Sequence, residues 1–104
     1  MATWQDDQRE SDVTTRDRVQ KPPNYKVLLH NDDYTTMAFV VKILCEIFHL
    51  SSAASTRTML RIHKTGRGVA GVYTRDVAET LVAQVIEISR AEGHPLQCTM
   101  EPES

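Results

Sequence analysis

Tyr25, Val27 and Leu29 alternate with Lys26, Leu28 and His30, the two-residue period of a strand with one buried face, and the turn formers Asn31, Asp32 and Asp33 end it. A helix follows, with Thr35 as its expected N-cap and Phe39, Val40, Ile43, Leu44 and Ile47 recurring at helical spacing to about Phe48. Ser51 is placed to cap a second helix, in which Ser55, Met59, Ile62 and His63 share a side and Gly66 and Gly68 bring the stop. Residues 69–73 form a short second strand. Thr74 then caps a third helix, whose expected core stripe is Val77, Ala78, Leu81, Val82, Val85 and Ile86, ended by Gly93 and Pro95. A last strand covers residues 96–100. The order strand, helix, helix, strand, helix, strand predicts an α+β domain, three strands with three helices packed on one face.

The first twenty residues show no such period. They hold five acids and three bases, which predicts a disordered, flexible N-terminal extension over residues 1–21. Pro22 and Pro23 mark its boundary with a core expected over residues 22–104. The chain has 104 residues and a formal net charge of −2, from 12 Lys plus Arg against 14 Asp plus Glu. Removing the arm leaves nine charges of each sign, so the arm carries the excess and the balanced core argues against nucleic-acid binding. With 6% aromatic residues the core must rest on Val, Ile, Leu and Met. No apolar run reaches the roughly 20 residues that span a bilayer, and the N-terminus is polar, so a soluble, cytoplasmic protein without membrane contact is expected. Cys45 and Cys98 form no CxxC pair, which leaves zinc and thioredoxin-like chemistry unsupported and fits a reducing compartment.

Candidate chemistry is concentrated in a few polar residues. Asn31, Asp32 and Asp33 read most simply as an Asx-type turn, His63 as a cation at a helix C-terminus, and Met37 and Met59 as core filler. If they converge, an amide oxygen, a carboxylate and a neutral imidazole give an ammonium group three acceptors, beside a hollow lined by Met37, Val40, Met59, Ile62 and Leu96. Such a site fits a peptide N-terminus with a bulky first side chain, although spacing alone does not bring these residues together. An enzyme reading would use Asp32, Asp33 and His63 as metal ligands or acid and base. It finds no phosphate loop, HExxH, GxSxG or cysteine beside a histidine in support, and no metal or cofactor is implied.

Four segments, KPPNYKVLLHNDDYTTMAFVV, TMLRIH before a glycine-containing turn, GVYTRDVAET and HPLQCTMEPE, together resemble the ClpS family across residues 21–101. Members are adaptors that bind destabilising N-terminal residues and hand substrates to a Clp-type AAA+ unfoldase and the ClpP protease. The resemblance implies that Asn31, Asp32 and His63 hold the α-amino group. It also implies that Thr35, Met37, Val40, Met59, Ile62 and Leu96 form the side-chain pocket, with Met37 as its gate, and that Asp33 is an auxiliary acid. The expected ligands are N-degrons beginning with Leu, Phe, Tyr or Trp. The expected partner is the N-terminal domain of a ClpA-like unfoldase, met by a monomer through Asp76, Glu79 and Leu81. The arm matches the family's variable extension, which acts in delivery. Departures from the pattern are Thr36 where many members have Pro at the first helical position, His30 where an apolar residue is usual, and Leu81 in place of a common Lys. They leave open a divergent regulator that docks on the unfoldase without binding N-degrons.

Overall fold

The computed structural model describes residues 22–103, so the expected flexible arm and the outer ends of the expected domain boundaries lie outside the described residues. Six elements follow in the expected order: β1 (Tyr25–His30), α1 (Met37–Glu46), α2 (Ser52–Thr65), β2 (Arg67–Tyr73), α3 (Arg75–Ala91) and β3 (Gln97–Pro102). The strands form one antiparallel sheet of order β2-β1-β3, which puts the most apolar strand in the centre. Val27 and Leu29 of β1, with Ala70 of β2 and Cys98 of β3, face the helices. They pack against Phe39, Val40, Ile43 and Leu44 of α1, Ile62 of α2, and Ala78 and Val85 of α3. Burial of these side chains, about 1.5–3 kcal/mol for each large one, is the main term holding the layers together. Leu28 points to the other face and is still buried, at 4% exposure, opposite Val69 and Thr99. A register shift between Val27 and Leu28 leaves Ala70 as the extra residue of β2, the two-against-one arrangement of a bulge.

Local chemistry accounts for the boundaries that differ from expectation. Thr36, not Thr35, caps α1: its backbone is extended (φ −74°, ψ 152°) and its hydroxyl accepts from the Phe39 N–H at 3.1 Å. Thr35 is unavailable for that role because Asp32 engages both its N–H and its hydroxyl. Thr36 is therefore the cap itself and not the first helical residue. Helix α1 ends at Glu46, before the expected Phe48, as His49 turns the chain with a φ of 60°. Ser51 caps α2 as expected by accepting from the Ala54 N–H at 3.1 Å, and Gly66 (φ 98°) supplies the left-handed exit. Thr74 takes the N-cap backbone geometry of α3 but makes no side-chain cap bond. The stripe of α3 is also displaced: Val77 and Ile86 are exposed, at 46% and 37%, while small Ala78 and Ser89 are buried toward the sheet. Strands β2 and β3 extend to residues 67–73 and 97–102, two positions earlier and two later than expected at those ends.

Both cysteines are free, and burial pushes the Cys98 thiol up to about 12, which leaves it protonated and inert. No helix among the described residues is long and apolar enough to cross a membrane.

Candidate functional site

One hydrogen bond brings the turn after β1 to the end of α2. The Asn31 N–H donates to the Gly66 carbonyl at 2.9 Å, so Asn31 and Asp32 stand beside His63 in the last turn of that helix. Gly66 is needed there, because the left-handed exit from α2 disfavours residues with a Cβ. Gly68 holds β2 tightly against the same helix: a Cβ at this position would come within 2.9 Å of Ile62 Cγ1.

The turn is organised around the Asp32 carboxylate. Oδ1 accepts from the backbone N–H groups of Tyr34 and Thr35 at 2.8 and 2.7 Å, and Oδ2 accepts from the Thr35 hydroxyl at 2.7 Å. Partial burial alone would raise the pKa of this acid. The Thr35 and Tyr34 bonds, with a smaller electrostatic contribution from His94, outweigh it and hold the carboxyl below its usual value. Asp32 is thus a carboxylate that is kept charged and aimed, with a lone pair of Oδ2 still unassigned.

Between this turn, α1 and α2 lies a cavity of about 250 Å³ lined by Asn31, Asp32, Asp33, Thr35, Met37, Val40, Met59, Ile62 and His63. Asn31, Asp32, Asp33, Thr35 and His63 supply its polar lining and Met37, Val40, Met59 and Ile62 its apolar lining. The volume is below that of a typical drug-sized site and suits a single side chain. Eight of the nine residues expected to form the two halves of the site therefore surround one cavity, together with Asp33. Leu96 does not line it. This residue, just before β3, is 0% exposed within the core and supports the fold from behind. Met37, on the first turn of α1, lines the cavity and is 44% exposed.

His94 was not among the expected residues. Its ring stacks on Phe39, with centroids 4.1 Å apart and planes at 21°, and it contributes electrostatically to Asp32 without lining the cavity. The only sequence signal for it was its place in the HPL segment. His30, unusual for its position, is half-buried and forms a 2.7 Å hydrogen bond between Nε2 and Thr99 Oγ1. Among the described residues no cluster of His, Cys, Asp and Glu is arranged to hold a metal ion. Asp76 and Glu79 are exposed at the start of α3, Glu79 paired with Arg75 Nε at 3.2 Å, whereas Leu81 is half-buried against the core.

The model of one protein family, ATP-dependent Clp protease adaptor protein ClpS, matches residues 20–99. The chain belongs to the ClpS family. A ClpS adapter protein from Xanthomonas campestris is 56% identical over 88 residues, covering 85% of this chain and 83% of the relative. The ClpS adapter of Nitratidesulfovibrio vulgaris is 52% identical over 93 residues, covering 89% and 93%. Among solved structures, Agrobacterium tumefaciens ClpS2 bound to L-phenylalaninamide superposes with a TM-score of 0.77 at 40% identity, covering 80% of this chain and all of that one. The ClpS fold is thus present here, and with it the role of an adaptor of a Clp protease.

Proposed function

We propose that this ClpS-family protein is a non-enzymatic adaptor that captures a free protein N-terminus whose first residue is Leu, Phe, Tyr or Trp and presents the attached chain to a ClpA-like AAA+ unfoldase. The observation that carries this reading is that polar acceptors and apolar side chains line one and the same cavity. An α-ammonium has three N–H donors, and Asn31, Asp32 and His63 can supply three acceptors. Support also comes from the Agrobacterium relative, whose ligand combines a free α-amine with an aromatic side chain.

A fluorescence titration with peptides differing only at residue one, each free or N-acetylated, tests the proposal. Acetylation removes the charge and two donors. Because Asn31 and His63 are exposed, the loss should fall at the lower end of the range for charged hydrogen bonds, about 2–3 kcal/mol or roughly 30- to 150-fold in affinity. Equal binding of acetylated and free Leu peptides would reject amine capture. A folded protein that binds neither but still binds the unfoldase would be the docking regulator instead.

For docking, we assign Asp76 and Glu79 at the exposed start of α3, with Val77 as an apolar contact beside them and Leu81 acting through its packing under that turn. Glu79→Lys should weaken binding to the unfoldase N-terminal domain, read by calorimetry, and leave peptide affinity unchanged. No change against any candidate domain would move the docking surface elsewhere.

A further inference from the structure

On the sheet face away from the core, Lys26, Leu28, Arg67 and Glu101 meet Arg57 and Arg61 of α2 around a groove of about 380 Å³. Four cations face one acid there. Glu101 is 3.5 Å from Lys26 Nζ and 3.9 Å from Arg67 Nη1, and neither Arg57 nor Arg61 has an acidic partner among the described residues. The two arginines are four positions apart on α2, a like-charge spacing that works against the helix unless an anion compensates it. The groove shares α2 with the candidate site but none of its lining residues.

The chain itself contains a matching anion. Residues 5–12 hold Asp6, Asp7, Glu10 and Asp12 against Arg9, a net charge of −3 facing a groove of +3, and Trp4 precedes them. Reach is sufficient. The Glu103 N–H donates to the Asn24 carbonyl at 2.8 Å, which fixes the arm's exit two residues before Lys26. From there the groove runs along β1 toward Arg67, which pairs with His30, a distance of about 13 Å. Twelve residues of unconstrained chain, the separation of Asp12 from Asn24, span about 19 Å on average. We propose that the acidic stretch of the N-terminal arm docks intramolecularly in this basic groove, with Trp4 placed against the half-open apolar floor at Val69.

A tethered segment meets the groove at high effective concentration, so weak charge pairing is enough to hold it, and salt releases it. Trp4 is the only tryptophan of the chain, so its fluorescence reports the arm directly. In the full-length protein at low ionic strength, acrylamide should quench Trp4 at least about twofold less effectively than in a synthetic peptide of residues 1–20, the protection expected of a docked segment. Protection should vanish at ~0.5 M salt, where the screening length falls to a few ångströms. It should vanish also in Arg57→Glu/Arg61→Glu, and in the arm variant Asp6→Asn/Asp7→Asn/Glu10→Gln/Asp12→Asn, which leaves the core untouched. Quenching equal to that of the peptide at low salt would overturn the proposal. So would protection that persists in the folded arginine variant, which would place the arm elsewhere, or protection that grows with protein concentration, which would place it on a second copy.

Discussion

Replacing Asp32 with Ala should abolish peptide binding, by 100-fold or more, because in the proposed site one carboxylate would both meet the ammonium and shape the turn that carries it. The variant loses three hydrogen bonds, from the Tyr34 and Thr35 N–H groups and the Thr35 hydroxyl. At about 0.5–1.5 kcal/mol each, and less where water can replace them, these amount to about 1–3 kcal/mol of stability. Asp32→Asn separates the two roles: its amide oxygen can still accept from the turn, so stability should be largely kept while affinity falls with the lost charge. The pH dependence provides a further check. A carboxyl held below its unfolded-state pKa contributes stability that is present above that value and lost as pH falls through the folded one. Acid denaturation profiles of wild type and Asp32→Asn should therefore converge below the usual carboxylate range. An Asp32→Ala protein that binds Leu peptides like wild type would remove Asp32 from the site.

Met37→Ala should change which first residues are accepted. Val and Ile carry two heavy atoms on Cβ and cannot rotate clear of a side chain that crowds the cavity mouth. With Met37 lining the cavity from the first turn of α1, truncation should admit Val and Ile peptides with a gain of at least about tenfold, the effect of relieving one steric conflict. Leu and Phe peptides should still bind. The exposure of Met37 also means that the variant leaves no large core cavity, so altered binding would not reflect a damaged fold. An unchanged order of preference in a peptide titration would reduce Met37 to part of the wall.

What the sequence discloses depends on how local the cause is. Strand β1 was legible to the residue because its alternation is bounded by prolines on one side and turn formers on the other. The cap of α1 was misplaced by one residue because Thr35 and Thr36 are equivalent to local rules, and only the Asp32 carboxylate distinguishes them. In α3 the apolar residues cover more than one side, and the side facing the sheet is marked by small Ala78 and Ser89, which hydropathy does not identify. The convergence of Asn31, Asp32 and His63 depends on a contact between segments far apart in the chain, so periodicity could not give it. The residues named from the resemblance line one cavity, apart from Leu96, which is buried in the core.

The bond from the Asn31 N–H to the Gly66 carbonyl makes the recognition site a property of two segments and of neither alone. Frayed from α2, the turn would keep its Asp32 latch but lose His63, Met59 and Ile62 from the cavity lining. Helix α2 without the turn would present His63 beside Met59 and Ile62, with no carboxylate opposite them. If the proposed capture holds, local opening of this one junction would dismantle the site, so the stability of the contact would limit how long a bound chain is held.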